Sequence, residues 1–128
     1  HHRSSAASDV YKRQINNSLI SVCLICFVIG AILKTSQGSS TSAMIITSSL
    51  IFPLISKYNF TNFDIVMVTL SIGAGSMMIS HVNYTYFWIL SKKSEMNLQN
   101  SLKYFSIMTV FQSLSTILFI SLIILISS

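Results

Sequence analysis

A polar tract that could hold an anion lies directly ahead of an apolar stretch beginning at Ser42. Glycine in such a tract lets the backbone approach a ligand closely. The first turn of the following helix exposes free N–H groups and the positive end of the helix dipole. This combination suits a carboxylate or polyol ligand, whereas the alternative is an ordinary loop with a Ser/Thr cap. The tract consists of Gln37, Gly38, Ser39, Ser40 and Thr41.

Small residues form a second candidate site inside a long apolar run. Gly73 and Gly75 flank Ala74, and Ser76 follows them. Glycine-interrupted apolar segments are typical of discontinuous helices that line a transport path. Small residues also let two membrane helices pack closely. The residues alone leave both interpretations open.

His81 and Asn83 are polar residues further along the same run. An ionisable residue within a membrane segment is a candidate functional residue. Histidine titrates near neutral pH and can relay protons, so we predict His81 as a proton-coupling residue. The alternative is a neutral histidine that hydrogen-bonds a neighbouring helix.

Cys23 and Cys26 have a Cys-x-x-Cys spacing but lie in an uncharged apolar stretch. A redox pair would sit near a βαβ pattern, so we expect two buried thiols that behave as small hydrophobic groups. The sequence offers no second ligand pair for a metal, no pair of carboxylates and no nucleophile triad. We therefore predict no catalytic residue, no metal site, no cofactor and no enzymatic activity.

The composition indicates which class of protein must position these residues. Of the 128 residues, 52% are hydrophobic and 9% are charged, and the mean hydropathy is +0.67. Soluble domains carry roughly 25% charged residues. A soluble enzyme and a disordered chain are both excluded, because the first needs more charge and the second needs lower hydrophobicity. The chain is predicted to be an integral membrane protein or part of one.

Four apolar stretches are candidates for membrane helices, since a span needs roughly 20 apolar residues. The second, residues 42–56, is short and contains Pro53, and the third, residues 65–91, is too long for one straight crossing. Continuous apolar runs favour helices over barrel strands. We predict an all-α, polytopic transporter fragment with broken or re-entrant helices. The stretches cover residues 15–33, 42–56, 65–91 and 104–128.

Two charged loops connect the later stretches. The first loop covers residues 57–64, and Asp64 at its end is expected to be the N-cap of the next helix. Residues 92–103 hold three lysines and Glu95, so the positive-inside tendency places this loop in the cytoplasm and the C-terminus outside.

Residues 1–14 are predicted to be non-native. Residues 4–14 resemble a translated sequencing adapter, whose codons encode Asp-Val-Tyr-Lys-Arg-Gln. We therefore exclude this segment from the native fold. Residues 15–128 are taken as the native segment.

Six short motifs follow one another along residues 15–128: Ala31-Ile32-Leu33-Lys34, Gln37-Gly38-Ser39-Ser40-Thr41, Ile72-Gly73-Ala74-Gly75-Ser76, Ser80-His81-Val82-Asn83, Phe87-Trp88 and Leu102-Lys103. Their order and spacing resemble the C-terminal portion of the gluconate permeases, the gluconate:proton symporter family of bacteria. Tyr84 departs from the family pattern because it stands where an Asp is usual, and Tyr86 stands where a Gly is usual. A carboxylate that could take part in proton coupling is therefore absent.

The resemblance implies that residues 15–128 are the C-terminal transmembrane portion of a multi-pass permease of the bacterial inner membrane. Such a permease has inverted halves, and its N-terminal half would lie beyond this chain. The resemblance also implies symport of a sugar-acid anion such as gluconate with protons, and it is compatible with a homo-oligomer. No nucleic-acid partner is implied. Residues 37–41 and 73–83 would belong to the substrate region, with Asn83 among the binding residues and His81 as the proton-coupling candidate.

The alternative hypothesis is a complete small four-helix membrane protein that acts as a dimeric exporter or as an accessory subunit. Small exporters of cationic drugs need an acid within the membrane. Asp64 and Glu95 lie in predicted loops, which disfavours that function. An accessory subunit would need no polar breaks at membrane depth.

Overall fold

The computed structural model describes residues 2–80 and 84–127. This part of the chain is built from α-helices and contains no strand, which confirms the predicted all-α class. The helices are α1 (His2–Gln37), α2 (Ser40–Lys57), α3 (Asn62–Ser76), α4 (Thr85–Lys93) and α5 (Leu98–Ile126).

Two helices are long and apolar enough to cross a membrane. They are Asn17–Gln37 within α1 and Leu98–Ile126, which is all of α5. At a rise of 1.5 Å per residue, the 21 residues of the first span about 31 Å, close to the thickness of the hydrocarbon core. The predicted first and fourth stretches correspond to these helices. The second and third stretches give no such helix: the 18 residues of α2 include several serines and threonines, so they are less apolar, and α3 has only 15 residues.

The outer surface of the fold is strongly apolar. Phe52, Phe111 and Ile126 are 68%, 71% and 83% exposed, and many other large apolar side chains on α1, α2 and α5 are exposed as well. Apolar patches this extensive mark a surface that meets lipid or further protein. The surface therefore agrees with an all-α membrane protein.

The long third apolar stretch is divided into two helices, as predicted. α3 ends at Ser76, and α4 begins at Thr85. At its other end α3 starts with a reciprocal cap: the N–H of Thr61 donates to Asp64 Oδ2 at 2.9 Å, and the N–H of Asp64 donates to Thr61 Oγ1 at 3.4 Å. The expectation for Asp64 was wrong, because Thr61 is the N-cap and Asp64 is the third residue of the helix. Both residues are needed for this capping box.

α1 and α3 are the central helices of the described fold, since they pack against each other and each also packs against α2 and α5. Cys23 and Cys26 are free thiols buried in this core, 2% and 0% exposed, as expected for small hydrophobic groups. The core also contains apolar residues of four helices, among them Leu19, Phe27, Ile51, Val68, Ile72, Ile117 and Ile120.

α1 extends without interruption through residues 2–14. Residues 5–10, 13 and 14 are exposed. The assignment of residues 1–14 as a non-native segment stays a prediction.

Candidate functional site

The break between α1 and α2 is a tight turn at Gly38. Its φ of 69° lies in the left-handed region that favours glycine. Its N–H donates to the carbonyl oxygen of Lys34 at 2.9 Å, which closes the last turn of α1. Ser39 then caps α2, and its Oγ accepts from the N–H of Ser42 at 3.3 Å. The polar tract therefore leads directly into a helix, as predicted.

The side chains of this tract differ in exposure. Gln37 and Thr41 are exposed, whereas Ser39 and Ser40 are half-buried. Because the first N–H groups of a helix have no partner within it, the start of α2 offers backbone donors beside these hydroxyls. The assignment of residues 37–41 to substrate binding stays a prediction.

Gly73 and Gly75 have different surroundings at the end of α3. A Cβ on Gly75 would overlap the backbone carbonyl of Phe27, so α1 and α3 meet there backbone to backbone. Gly30 on α1 belongs to the same contact, since a Cβ there would lie 3.3 Å from the carbonyl oxygen of Ile72. A Cβ on Gly73 would meet nothing within 4 Å. Gly75 therefore has a packing role, and Gly73 borders open space.

Ser76 is completely buried, and its Oγ donates to the carbonyl oxygen of Gly73 at 2.7 Å. The hydroxyl thus bonds within the last turn of α3 and retains its capacity to accept. The predicted site residues Gly73, Gly75 and Ser76 lie close together at the end of α3. Their assignment to substrate binding stays a prediction.

Two serines of α5 bond backbone carbonyls at the break after α3. Ser113 Oγ donates to the carbonyl oxygen of Ala74 at 2.6 Å, and Ser106 Oγ donates to that of Ser80 at 2.8 Å. Unpaired carbonyls are costly at membrane depth, so these bonds allow α3 to end inside the protein. Sequence reasoning missed both serines. Their spacing of seven residues, which puts them on one face of α5, is the signal that could have found them.

Lys34 is a buried cation near the end of α1. Its side chain is 1% exposed, and Nζ lies 3.3 Å from the centroid of the Tyr84 ring. Within the described residues, Nζ has no hydrogen-bond partner. The sequence motif contained Lys34, but it was not predicted as a site residue. The signal for it is a charged residue at the end of an otherwise uncharged apolar stretch.

The Tyr84 ring belongs to an aromatic cluster between α4 and α5. It lies 6.1 Å from the ring of Tyr86, which lies 6.2 Å from Phe105, and Phe87 lies 6.0 Å from the same Phe105. These centroid distances are typical of favourable aromatic pairs. Tyr84 is also the N-cap of α4, and its side chain makes no capping hydrogen bond.

The two helix breaks lie at the same end of α1. Phe27 of α1 contacts Gly75 at the end of α3. Lys34, about two helical turns further along α1, contacts Tyr84 at the start of α4. The α1–α2 turn follows Lys34 by one helical turn. His81 and Asn83, the remaining predicted site residues, lie outside the described residues.

This arrangement provides hydrogen-bond donors and one ammonium group. Such groups suit the binding of an anion that also carries hydroxyls. Among the residues that the structure describes, no group of three or more His, Cys, Asp and Glu could hold a metal ion. A cleft of about 190 Å³ lies between α4 and α5, next to the aromatic cluster. Its lining includes Phe87, Phe105 and Ser101 but none of the predicted site residues.

Comparisons with known proteins point to one family. The profile of the GntP family permease matches residues 2–126. A gluconate permease of Pseudomonas aeruginosa is 28% identical over 120 residues, which are 94% of this chain and 26% of that protein. The Gnt-II system L-idonate transporter of Escherichia coli K12 is 30% identical over 81% of this chain and 23% of its own length. A gluconate permease of Bacillus licheniformis is 32% identical over 70% of this chain and 19% of its own length.

The chain spans about a quarter or less of the length of these curated relatives. No solved structure matches it.

Proposed function

The chain belongs to the GntP family of permeases, and on that premise we propose that it forms the C-terminal part of a secondary transporter for gluconate or a related sugar acid. The transporter takes up the acid together with protons across the bacterial inner membrane, in which it is a multi-pass protein. The rest of the transport path, including an N-terminal half, belongs to a longer permease. The native part of this chain is residues 15–128, and the permease is compatible with a homo-oligomer.

The observation that carries this proposal is the meeting of two helix breaks at one end of α1. Interrupted helices at membrane depth are tolerated where they are buried or line a cavity, and transporters use the ends of such helices to hold substrates. Here the α1–α2 turn at Gly38 and the break between α3 and α4 are joined by the contact of Lys34 with Tyr84.

The proposed substrate contacts combine the residues predicted from sequence. A sugar acid has one carboxylate and several hydroxyls, so it requires several neutral donors and acceptors along its length. Hydroxyls, amides and the N–H groups at the start of α2 supply these. The proposed binding residues are Gln37, Gly38, Ser39, Ser40, Thr41, Gly73, Gly75, Ser76 and Asn83.

The substrate class is supported by the relatives. Two of those compared are gluconate permeases, and the third is an L-idonate transporter. Gluconate and idonate are both six-carbon acids with one carboxylate and five hydroxyls. The family membership favours this function over a small four-helix exporter or an accessory subunit.

Uptake by the full-length permease in proteoliposomes tests the proposal. An inside-alkaline pH gradient should drive accumulation of radiolabelled D-gluconate, and a protonophore should abolish it. L-Idonate should compete, while D-glucitol, which lacks the carboxylate, should compete weakly. Absence of gluconate uptake would overturn the proposed function, and uptake insensitive to the protonophore would overturn the proton coupling.

Sequencing the genomic DNA across the junction between Gln14 and Ile15 tests the assignment of the native segment. A reading frame that continues upstream of Ile15 into further apolar spans supports a longer permease. A start codon at the junction would contradict it and favour a complete small membrane protein.

A further inference from the structure

We propose that Lys34 is the residue that binds the carboxylate of the substrate. Its ammonium group takes the acid end of the sugar acid between the α1–α2 turn and the start of α4. This inference rests on the proposed function and names the group that recognises the anion.

The first argument is the burial of Lys34 without a hydrogen-bond acceptor. Its side chain is 1% exposed, and within the described part of the chain Nζ contacts the face of Tyr84 but no acceptor. A ring face attracts a cation but leaves the three N–H donors of an ammonium without acceptors. A buried charge is costly unless it is both paired and hydrogen-bonded. An anion within hydrogen-bond distance of Nζ would supply both the opposite charge and the acceptors.

The second argument is that the chain itself offers no such anion. It has three acidic residues. Asp9 lies on α1 itself, 25 residues before Lys34, which is about 37 Å along the helix axis. Asp64 is engaged in the capping box at the start of α3, and Glu95 lies in the exposed turn after α4. The partner must therefore come from outside these residues, as a sugar-acid anion would.

The third argument is the helix end beside the ammonium. α4 begins at Thr85, immediately after the tyrosine that Nζ covers. The N-terminus of a helix carries a partial positive charge and free N–H groups. Since the Tyr84 side chain does not cap this helix, the ammonium and the helix end both favour a carboxylate at this place.

Another function of Lys34 would be to stabilise the C-terminus of α1. A lysine in the last turn of a helix interacts favourably with the negative end of the helix dipole. That role needs no burial, because an exposed lysine such as Lys57 in the last turn of α2 provides it as well. The stabilising role predicts no change in gluconate affinity when Lys34 is replaced, whereas the binding role predicts a loss.

The test replaces Lys34 in the full-length permease and measures D-gluconate affinity in proteoliposomes. Lys34→Met keeps the length of the side chain and removes the charge. It should weaken gluconate affinity about 10- to 100-fold, the loss typical of a hydrogen-bonded charged contact. The weak competition by D-glucitol should not change, because glucitol has no carboxylate. Lys34→Arg keeps the charge and should retain most of the affinity.

Stability is the second readout of the same variants. Replacing a buried, unpaired ammonium with an apolar group is often neutral or stabilising. Lys34→Met should therefore unfold at the same temperature as the wild type or at a higher one. Lys57→Met is the matched control, since it removes an exposed lysine of a last helical turn and should leave gluconate affinity unchanged.

Three results would count against the proposal in distinguishable ways. Gluconate affinity that is unchanged in Lys34→Met, in a wild type that transports gluconate, overturns the inference alone. A lower unfolding temperature with equal losses for gluconate and glucitol overturns it too, because Lys34 would then pair with an acid of the protein. A wild type that does not take up gluconate overturns the proposed function, and the inference falls with it.

Discussion

Polar side chains inside the apolar helices differ in their bonding partners. Thr47 bonds the carbonyl oxygen of Ala43, four residues earlier in its own helix, at 2.7 Å. Ser113 bonds a carbonyl of another helix, and the ammonium group of Lys34 lies over the ring of Tyr84. A hydroxyl that bonds its own helix is satisfied wherever the helix lies. The other two residues depend on tertiary structure, so their positions are informative about function and stability.

Ser113→Ala should destabilise the fold by about 1 to 2 kcal/mol, because the carbonyl of Ala74 loses a side-chain donor in a buried place. Ser121→Ala is the matched control on the same helix, since Ser121 bonds its own helix through the carbonyl of Ile117. The unfolding temperatures of both variants in detergent give the comparison. Equal shifts in the two variants would show that the hydrogen bond from Ser113 to Ala74 contributes no more stability than a bond within one helix.

His81→Ala should abolish uptake of gluconate that is driven by a pH gradient. The reason is that histidine is the side chain whose ordinary titration range lies near neutral pH. Exchange of labelled for unlabelled gluconate, which needs no net movement of protons, should persist. Proton-driven uptake at the wild-type rate would remove His81 from the coupling mechanism.

At the scale of helices, the contact between α1 and α3 depends on which glycine faces α1. Successive residues of a helix are rotated by about 100°, so Gly73 and Gly75 are about 200° apart and point in nearly opposite directions. The sequence predicted either close packing or a path lining for this pair. It could not assign the roles, because the orientation of α3 depends on packing against a distant part of the chain. In the structure, Gly75 packs against Phe27 and Gly73 borders open space.

Gly75→Ala should destabilise the fold by about 1 to 3 kcal/mol, the usual cost of overpacking a tight contact. The new Cβ would overlap the backbone carbonyl of Phe27, which cannot move away as a flexible side chain would. Gly73→Ala is the matched control, and it should leave stability unchanged or raised, since alanine favours the helix. Thermal unfolding of the two variants distinguishes them. A larger loss for Gly73→Ala than for Gly75→Ala would contradict the packing role.

For other elements too, the sequence predicts local features but not contacts between residues that are far apart in the chain. The start of α2 after Ser39 and the interruption of the third apolar stretch are local features, fixed by glycine, capping hydroxyls and hydropathy, and both were predictable. Asp64 was misplaced by three residues because Thr61 and Asp64 are both good N-caps. Lys34 could not be paired with Tyr84, because 50 residues separate them and only the packing of α1 on α3 brings them together.

At the scale of the whole molecule, the charged loops predict how the chain crosses the membrane. The lysine-rich residues 92–103 are expected on the cytoplasmic side by the positive-inside tendency. If α3 and α4 together form one interrupted crossing, the loop that contains Asn59 lies on the opposite side. Asn59 and Gln99 are both exposed in the structure.

Asn59→Cys and Gln99→Cys should therefore react with a membrane-impermeant maleimide from opposite sides of the membrane. This part of the permease should add little background labelling, because Cys23 and Cys26 are buried. Labelling of intact cells and of inverted vesicles gives the two sides. Reaction of both variants from one side would show that α3 and α4 form a re-entrant hairpin instead.

The backbone contact between α1 and α3 also restricts movement. Because Phe27 and Gly75 touch without side chains between them, the two helices cannot rotate or slide past one another without a collision. They form a rigid frame for any rocking motion. α4 packs against α5 but not against this frame among the described helices. α4 is therefore, among the described helices, the one that can move without disturbing the contact between α1 and α3.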